Sequence, residues 1–288
     1  MGQINASRRD WMPIGPADLR EARLQIHWAA QIVSALGRSF VTPRADDSHP
    51  NLGYVAEGGL LMGRATETVP SFHAAIAIPT STILLMDQGI RVIDQLEIDG
   101  VTLEDAFVWL ERAVDRHSGG ACKGPIDRTL YDLPEHPVSA GAPFSKPAAG
   151  DLSELRAWYH NADLVLRTFV SGREGASDVR VWPHHFDLGT LVVLDRNADP
   201  ATARSVGLGM TPGDDSYAEP YFYVNPYPRP TTDRLPPLLG GGIWRQQDWF
   251  GAVLTASSLV SASPEQQHET VMSYLSSSFE AANTLLER

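Results

Sequence analysis

Residues 72–98 read FHAAIAIPTSTILLMDQGIRVIDQLEI. Three short runs, 72–78, 82–86 and 91–98, are apolar or alternate between apolar and polar residues, and only turn-forming residues separate them. Strands that follow one another with no helix between them predict antiparallel neighbours, because a parallel pair needs a long crossover connection. Upstream, Leu52–Val55 and 59–64 extend the same pattern. A helix is expected on either side of the group. Ala22, Ile26, Ala29, Val33 and Leu36 fall at helical spacing within 16–38. Thr102, with Asp105 three residues on, opens a second helix whose buried face is Leu103, Phe107, Leu110 and Val114, and Ser118-Gly119-Gly120 ends it.

The order recurs further along. A helix from Asp151 carries Leu155, Tyr159, Ala162, Leu166 and Phe169, with Gly172 as its stop. Strand candidates follow at 179–182, 186–194, 205–210, 220–224, 242–245 and 250–254, separated by turn signals at 195–200 and 211–214 and by the proline-rich run 226–237. The last helix has Ser263 as N-cap, Pro264 at N1 and Gln266 at N3. The expected fold class is therefore α+β, with two related helix–antiparallel sheet–helix halves packed as one body. The expected divisions are 1–117, a Pro/Gly-rich linker at 118–150, and 151–288, which carries the candidate site. No residue-level repeat relates the halves, so the relation is one of topology. A dinucleotide-binding fold is excluded, because strands and helices do not alternate and no GxGxxG occurs.

Composition narrows the function. Twenty-three basic residues against 35 acidic ones give a net charge of −12, which opposes binding to a phosphate backbone and argues against a nucleic-acid partner. Cys122 is the single cysteine, so no disulfide forms within the chain. No apolar stretch is long enough to span a membrane, and the opening MGQINASRRDW has no signal-peptide core. A cytoplasmic protein without membrane or nucleic-acid partners is expected. The two lysines, Lys123 and Lys146, lie in the Pro/Gly-rich stretch, and no phosphate-binding GxxxxGK[ST] loop is present. GxSxG, HExxH, CxxC and EF-hand patterns are also absent.

Chemistry-bearing residues concentrate at Trp182-Pro183-His184-His185-Phe186-Asp187. On a strand, His185 and Asp187 would share one face and His184 and Phe186 the other, with Pro183 at a strand start or edge. The competing reading is a bulge whose histidines bond backbone carbonyls. A second stretch places Glu219, Tyr221 and Tyr223 on one strand face, either as a pocket wall or as packing across a sheet. Asp214 and Asp215 fit a hairpin turn. On the first helix, His27 and Gln31 stand one above the other at the edge of the apolar stripe, lining a cavity or satisfied at a boundary. His73 sits in an apolar strand and is equally open to either reading.

WPHHFDLGT, GLGMTPGD, EPYFYVNPYP and LPPLLGGGIW occur here in this order. In this the chain resembles a group of uncharacterised bacterial proteins that belong to a domain family of unknown function. The resemblance covers most of the chain, and includes His27-Trp28-Ala29-Ala30-Gln31, Phe186-Asp187-Leu188 and Glu219. It implies a shared fold and shared polar positions, and no reaction.

The residues thus lead to an expected small-molecule enzyme or ligand-binding protein with a His/carboxylate pocket. His185, Asp187 and Glu219 form its catalytic centre and, in one variant, hold a divalent metal. His27, Gln31, His73, Trp182, His184, Tyr221 and Tyr223 contact the ligand. The alternative is a non-catalytic binding or scaffold protein whose polar cluster ties strands together.

Overall fold

The structure, a computed structural model, describes residues 8–120, 122, 125–196, 198–199, 202–231 and 234–287. Lys123, residues 1–7 and part of the expected turn at 195–200 lie outside the described residues. In chain order the long elements are α1 (Arg20–Phe40), β1 (Leu52–Val55), β2 (Leu60–Gly63), β3 (Phe72–Ala77), β4 (Thr82–Asp87), β5 (Val92–Glu97), α2 (Leu103–Ser118), α3 (Ala149–Val170), β6 (Arg180–Val181), β7 (Leu188–Val193), β8 (Ser205–Thr211), β9 (Tyr221–Tyr227), β10 (Ile243–Arg245), β11 (Gly251–Thr255) and α4 (Pro264–Leu286). The fold is α+β, and every strand pair with a resolved register is antiparallel. No described helix is long and apolar enough to cross a membrane.

The chain divides into two compact units that are discontinuous in sequence. The first comprises 19–156 with 180–186, and the second comprises 1–18, 157–179 and 187–288.

In the first unit the strand order is β6-β1-β2-β3-β4-β5. The 72–98 stretch forms β3, β4 and β5 in direct succession, with Ala74 opposite Leu85 and Ile83 opposite Leu96. α1 lies on β2 and β3, α2 lies on β4 and β5, and the two helices touch. Thr102 caps α2 by accepting the Asp105 N–H at 3.1 Å, and Gly119, at φ 60°, closes it in the left-handed conformation that glycine adopts without strain. α1 begins at Arg20 instead of at Pro16, and no side chain caps it. Every residue from Ala22 to Gly37 is buried, including Arg23, Gln25, His27, Gln31 and Ser34. Burying polar groups in this way is costly unless each finds a partner. The polar side of α1 is therefore where the first unit departs from ordinary core construction.

In the second unit the order is β10-β11-β9-β8-β7. β7, β8 and β9 pair in sequence, but β11 then lies beside β9 and β10 takes the edge. β1 to β5 of the first unit pair in plain chain order, so the last two strands differ between the units. The long connection from Pro228 to Gly242, rich in proline, allows β10 to bypass the position beside β9. α4 lies on β8, β9 and β11. Its capping box is complete: Ser263 Oγ accepts from Gln266 N, and the Gln266 side chain accepts from Ser263 N at 3.1 Å. The Tyr274 hydroxyl of α4 donates to the Phe222 carbonyl at 3.3 Å, and the Trp158 ring of α3 lies 6.1 Å from that of Phe222. Trp158, Tyr274 and Phe222 are among the largest fully buried side chains, each contributing roughly 1.5–3 kcal/mol or more of burial.

Candidate functional site

The chain leaves β6 at Val181 and turns at once. Phe186 N–H donates to the Trp182 carbonyl at 2.7 Å, and Phe186 holds φ 58°. A phenylalanine in the left-handed region is uncommon and needs tertiary support. That support is the His27 ring, stacked on Phe186 at 4.6 Å and 9° between planes. The expectation that His185 and Asp187 share a strand face is corrected here. Residues 183–185 form a turn, β7 starts only at Leu188, and the left-handed Phe186 cancels the two-residue alternation on which that reading depended. His185 is exposed.

The turn is held down by the polar side of α1. His27 Nε2 lies 2.9 Å from the Pro183 carbonyl, and Gln31 Nε2 donates to the same oxygen at 2.7 Å and to the His27 carbonyl at 3.2 Å. Burial pushes the His27 imidazole down to about 4, assisted by the nearby positive charge of Arg23 and by His185 and His184, so the ring is neutral near pH 7 and Nε2 carries the donated proton. The stripe continues at helical spacing through Ser34 and Arg38. Arg38 Nη1 donates to Ser34 Oγ at 2.8 Å and Nη2 to the Gln31 carbonyl at 3.4 Å. His27 is 3% exposed, Gln31 0% and Ser34 1%.

Above the stripe, the guanidinium carbon of Arg38 lies 5.5 Å from the centre of the Tyr131 ring. The Tyr131 hydroxyl donates to Asp47 Oδ2 at 3.0 Å. Asp47 holds φ 53°, a conformation that aspartate tolerates better than most residues. Burial, and then the bond to Asp47, raise the Tyr131 phenol above its ordinary value. The His184 ring lies 5.3 Å from Tyr131, 5.9 Å from Trp182 and 4.2 Å from His185. Partial burial lowers the His184 imidazole below its ordinary value, and neighbouring His185 adds to this while Asp47 opposes it. Three buried atoms in this region have no hydrogen-bond partner among the described residues: Gln31 Oε1, Arg38 Nε and His184 Nδ1. An unsatisfied buried polar atom costs about 1–3 kcal/mol, a loss that a bound ligand can recover.

The second unit treats its polar residues differently. Tyr221 and Tyr223 share a face of β9, as expected, but both phenols are committed to acids: Tyr223 donates to Asp187 Oδ2 at 2.5 Å and Tyr221 to Asp214 Oδ2 at 2.6 Å. Burial and these carboxylates hold both phenols well above their ordinary value. Asp214 also accepts from Ser216 N at 2.7 Å and Tyr217 N at 3.1 Å, which makes it the turn residue its sequence predicted. Tyr223 lies flat on the sheet because Gly189 and Gly209 have no side chain. A Cβ at Gly209 would stand 2.3 Å from the phenol oxygen and 2.4 Å from Cζ, and one at Gly189 would stand 2.8 Å from the oxygen.

Glu219 precedes β9 and is spent on the one-turn helix Ala256–Ser258, accepting from Ser257 N at 2.5 Å and Ser257 Oγ at 3.0 Å. Among the described residues, no three His, Cys, Asp or Glu side chains form a group that could hold a metal ion. The expected set of His185, Asp187 and Glu219 is thus not assembled as ligands, since the turn redirects His185 and capping occupies Glu219. His73 Nδ1 lies 3.1 Å from the Gly63 carbonyl within the β2–β3 pair, a tie across strands. A cavity of about 670 Å³ opens between the proline-rich segment and α4, lined in part by Leu235, Pro237, Leu239 and Ala281. None of the expected site residues lines it; the ionisable groups at its wall are Arg234 and Glu280.

Arg38, Asp47 and Tyr131 were not legible as site residues. Arg38 and Ser34 could have been found by extending the i, i+4 pair His27–Gln31 by another three and four residues. Asp47 and Tyr131 lie in irregular segments, and no local pattern announces that they meet.

Compared with family models, curated proteins and solved structures, the chain matches none of them. The resemblance carried by WPHHFDLGT and its companion motifs therefore rests on those motifs alone.

Proposed function

We propose that this protein binds a small molecule on the 182–185 turn and acts on it by proton transfer through His184. The observation that carries the reading is His184 itself: a half-buried ring, lowered in basicity, walled by Trp182, Tyr131 and His185, with a buried Nδ1 that no described residue satisfies. A neutral imidazole near pH 7 is ready to accept a proton. Asp47, held by the Tyr131 hydroxyl, supplies a carboxylate whose charge stabilises the imidazolium once it forms. His27 and Gln31 hold the turn in place and do not act on the ligand.

Asp187, Glu219, Tyr221 and Tyr223 belong to a scaffold role in this reading. What supports it is that each has a close intramolecular bond of its own.

Calorimetry with three one-ring probes, benzoate, benzamide and benzylamine, tests the proposal. At least one should bind saturably to the wild-type protein and about tenfold or more weakly to His184→Gln. The variant should keep its melting temperature within about 2 °C. Failure of all three to bind, or equal binding to a folded His184→Gln, would contradict the reading.

A further inference from the structure

We infer that the ligand of this site is a monoanionic carboxylate with an apolar body, its head held by Arg38 and its body set against Trp182, His184 and Tyr131. The inference rests on the ligand-binding reading above and adds the chemical class.

Arg38 is the reason. It lies at the C-terminal end of the buried stripe, and its hydrogen bonds go to neutral groups, Ser34 Oγ, the Gln31 carbonyl and the Tyr131 side chain. No carboxylate of the described residues stands within ion-pair distance of it. Nε is buried and has no hydrogen-bond partner among the described residues. A guanidinium presents Nε and one Nη as a planar fork that matches the two oxygens of a carboxylate. Desolvation lowers the affinity of Arg38 for its proton, with Tyr131, Asp127 and Asp47 opposing, so an arriving anion restores a charge balance that burial has disturbed.

A cationic ligand fits less well. Asp47, the acid bonded to the Tyr131 wall, already accepts from Tyr131, and half of its side chain is in water. Arg38 already occupies one approach to the Tyr131 ring. Asp47 and Asp127 also set the charge of the anion, since two carboxylates near one guanidinium oppose a dianionic phosphate more than a single carboxylate. The rings of Trp182, His184 and Tyr131 offer apolar faces to a body of aromatic size.

The test measures affinities of benzoate, benzamide, benzylamine and phenyl phosphate by calorimetry, near neutral pH and at low salt, for wild type, Arg38→Met and His184→Gln. Benzoate should bind about tenfold or more tightly than benzamide and more tightly than phenyl phosphate. Its advantage over benzamide should vanish in Arg38→Met. Should Arg38→Met fail to fold, the wild-type preference for benzoate and its decline as salt rises decide the matter, because screening weakens an ionic contact and leaves the benzamide affinity unchanged. Benzamide or benzylamine binding as tightly as benzoate, through a His184-dependent site, would overturn the carboxylate assignment and leave the ligand-binding reading standing. Phenyl phosphate binding more tightly than benzoate would overturn it in favour of a phosphate. No binding by any of the four would overturn both.

Discussion

The 182–186 turn and the face of β9 hold similar inventories, aromatic rings beside acids, and dispose of them in opposite ways. On β9 the two phenols donate to Asp187 and Asp214, and the glycines beneath Tyr223 let its ring lie flat against the sheet. At the turn, Tyr131 donates to Asp47, yet Gln31 Oε1, Arg38 Nε and His184 Nδ1 are buried without a hydrogen-bond partner among the described residues. A cluster that satisfies itself lowers the free energy of the folded chain. One that leaves donors and acceptors unsatisfied raises it, and does so at a place where a ligand can recover the loss. Residue type alone does not separate the two clusters; on the proposed reading, the bonding of the aromatic and basic side chains does.

The strongest way to sharpen the contrast is Gly209→Ala. The added methyl would collide with the Tyr223 ring and displace its hydroxyl from Asp187. Overpacking and the lost bond to a charged acceptor together should cost about 3 kcal/mol or more. Denaturant unfolding should record that loss. A change below about 1 kcal/mol would mean that the tyrosine is not part of the scaffold.

The next effect is pH-dependent and belongs to the first unit. His27 has an ordinary value of 6.5 and is pushed down to about 4 in the folded protein. Between those values the unfolded chain binds the extra proton, so the contribution is complete above pH 6.5 and is lost as pH falls toward 4. From about pH 7 to about pH 5 this amounts to about 2 kcal/mol of stability. His27→Gln keeps a donor for the Pro183 carbonyl and should flatten that part of the stability–pH curve. An unchanged slope would show that His27 is not the buried neutral group supporting the turn.

How much of this was legible in the sequence follows from the range of the interactions involved. The strand runs and the caps at Thr102 and Ser263 are local, and each appears close to its expected place. The exchange of β10 and β11 was not legible, because strand order across a long connection is set by pairing between distant residues. The site was half legible. The turn Trp182–His185 and the pair His27–Gln31 were singled out, and they do meet at the Pro183 carbonyl. The joint use of His185 and Asp187 failed on a single backbone angle at Phe186, which period-two reasoning has no means to detect. Glu219 accepts from Ser257, a use the sequence did not announce, because a carboxylate that caps a helical turn looks in sequence like one poised for catalysis.

Two smaller effects probe each side of the comparison. Asp187→Asn replaces a charged acceptor with a neutral one for the Tyr223 hydroxyl. It should cost about 1 kcal/mol in thermal or chemical unfolding and leave probe binding at the turn unchanged. Loss of binding without loss of stability would return Asp187 to the functional site. Asp47→Asn is expected to change stability by less than about 0.5 kcal/mol, because half of the Asp47 side chain is exposed. It should nevertheless lower the His184 titration further, since Asp47 favours the protonated ring. A rise in that titration would contradict the electrostatic account of the site.

The most direct test of the central claim is a two-dimensional NMR titration of the histidine rings, with His184 assigned by its loss in His184→Gln, recorded with and without each one-ring probe. The account predicts that His184 titrates below the ordinary histidine value and that its ring resonances move when benzoate is added, while those of His160 and His268 in the second unit stay in place. A His184 that titrates at or above the ordinary value, and whose resonances no probe displaces, would contradict it.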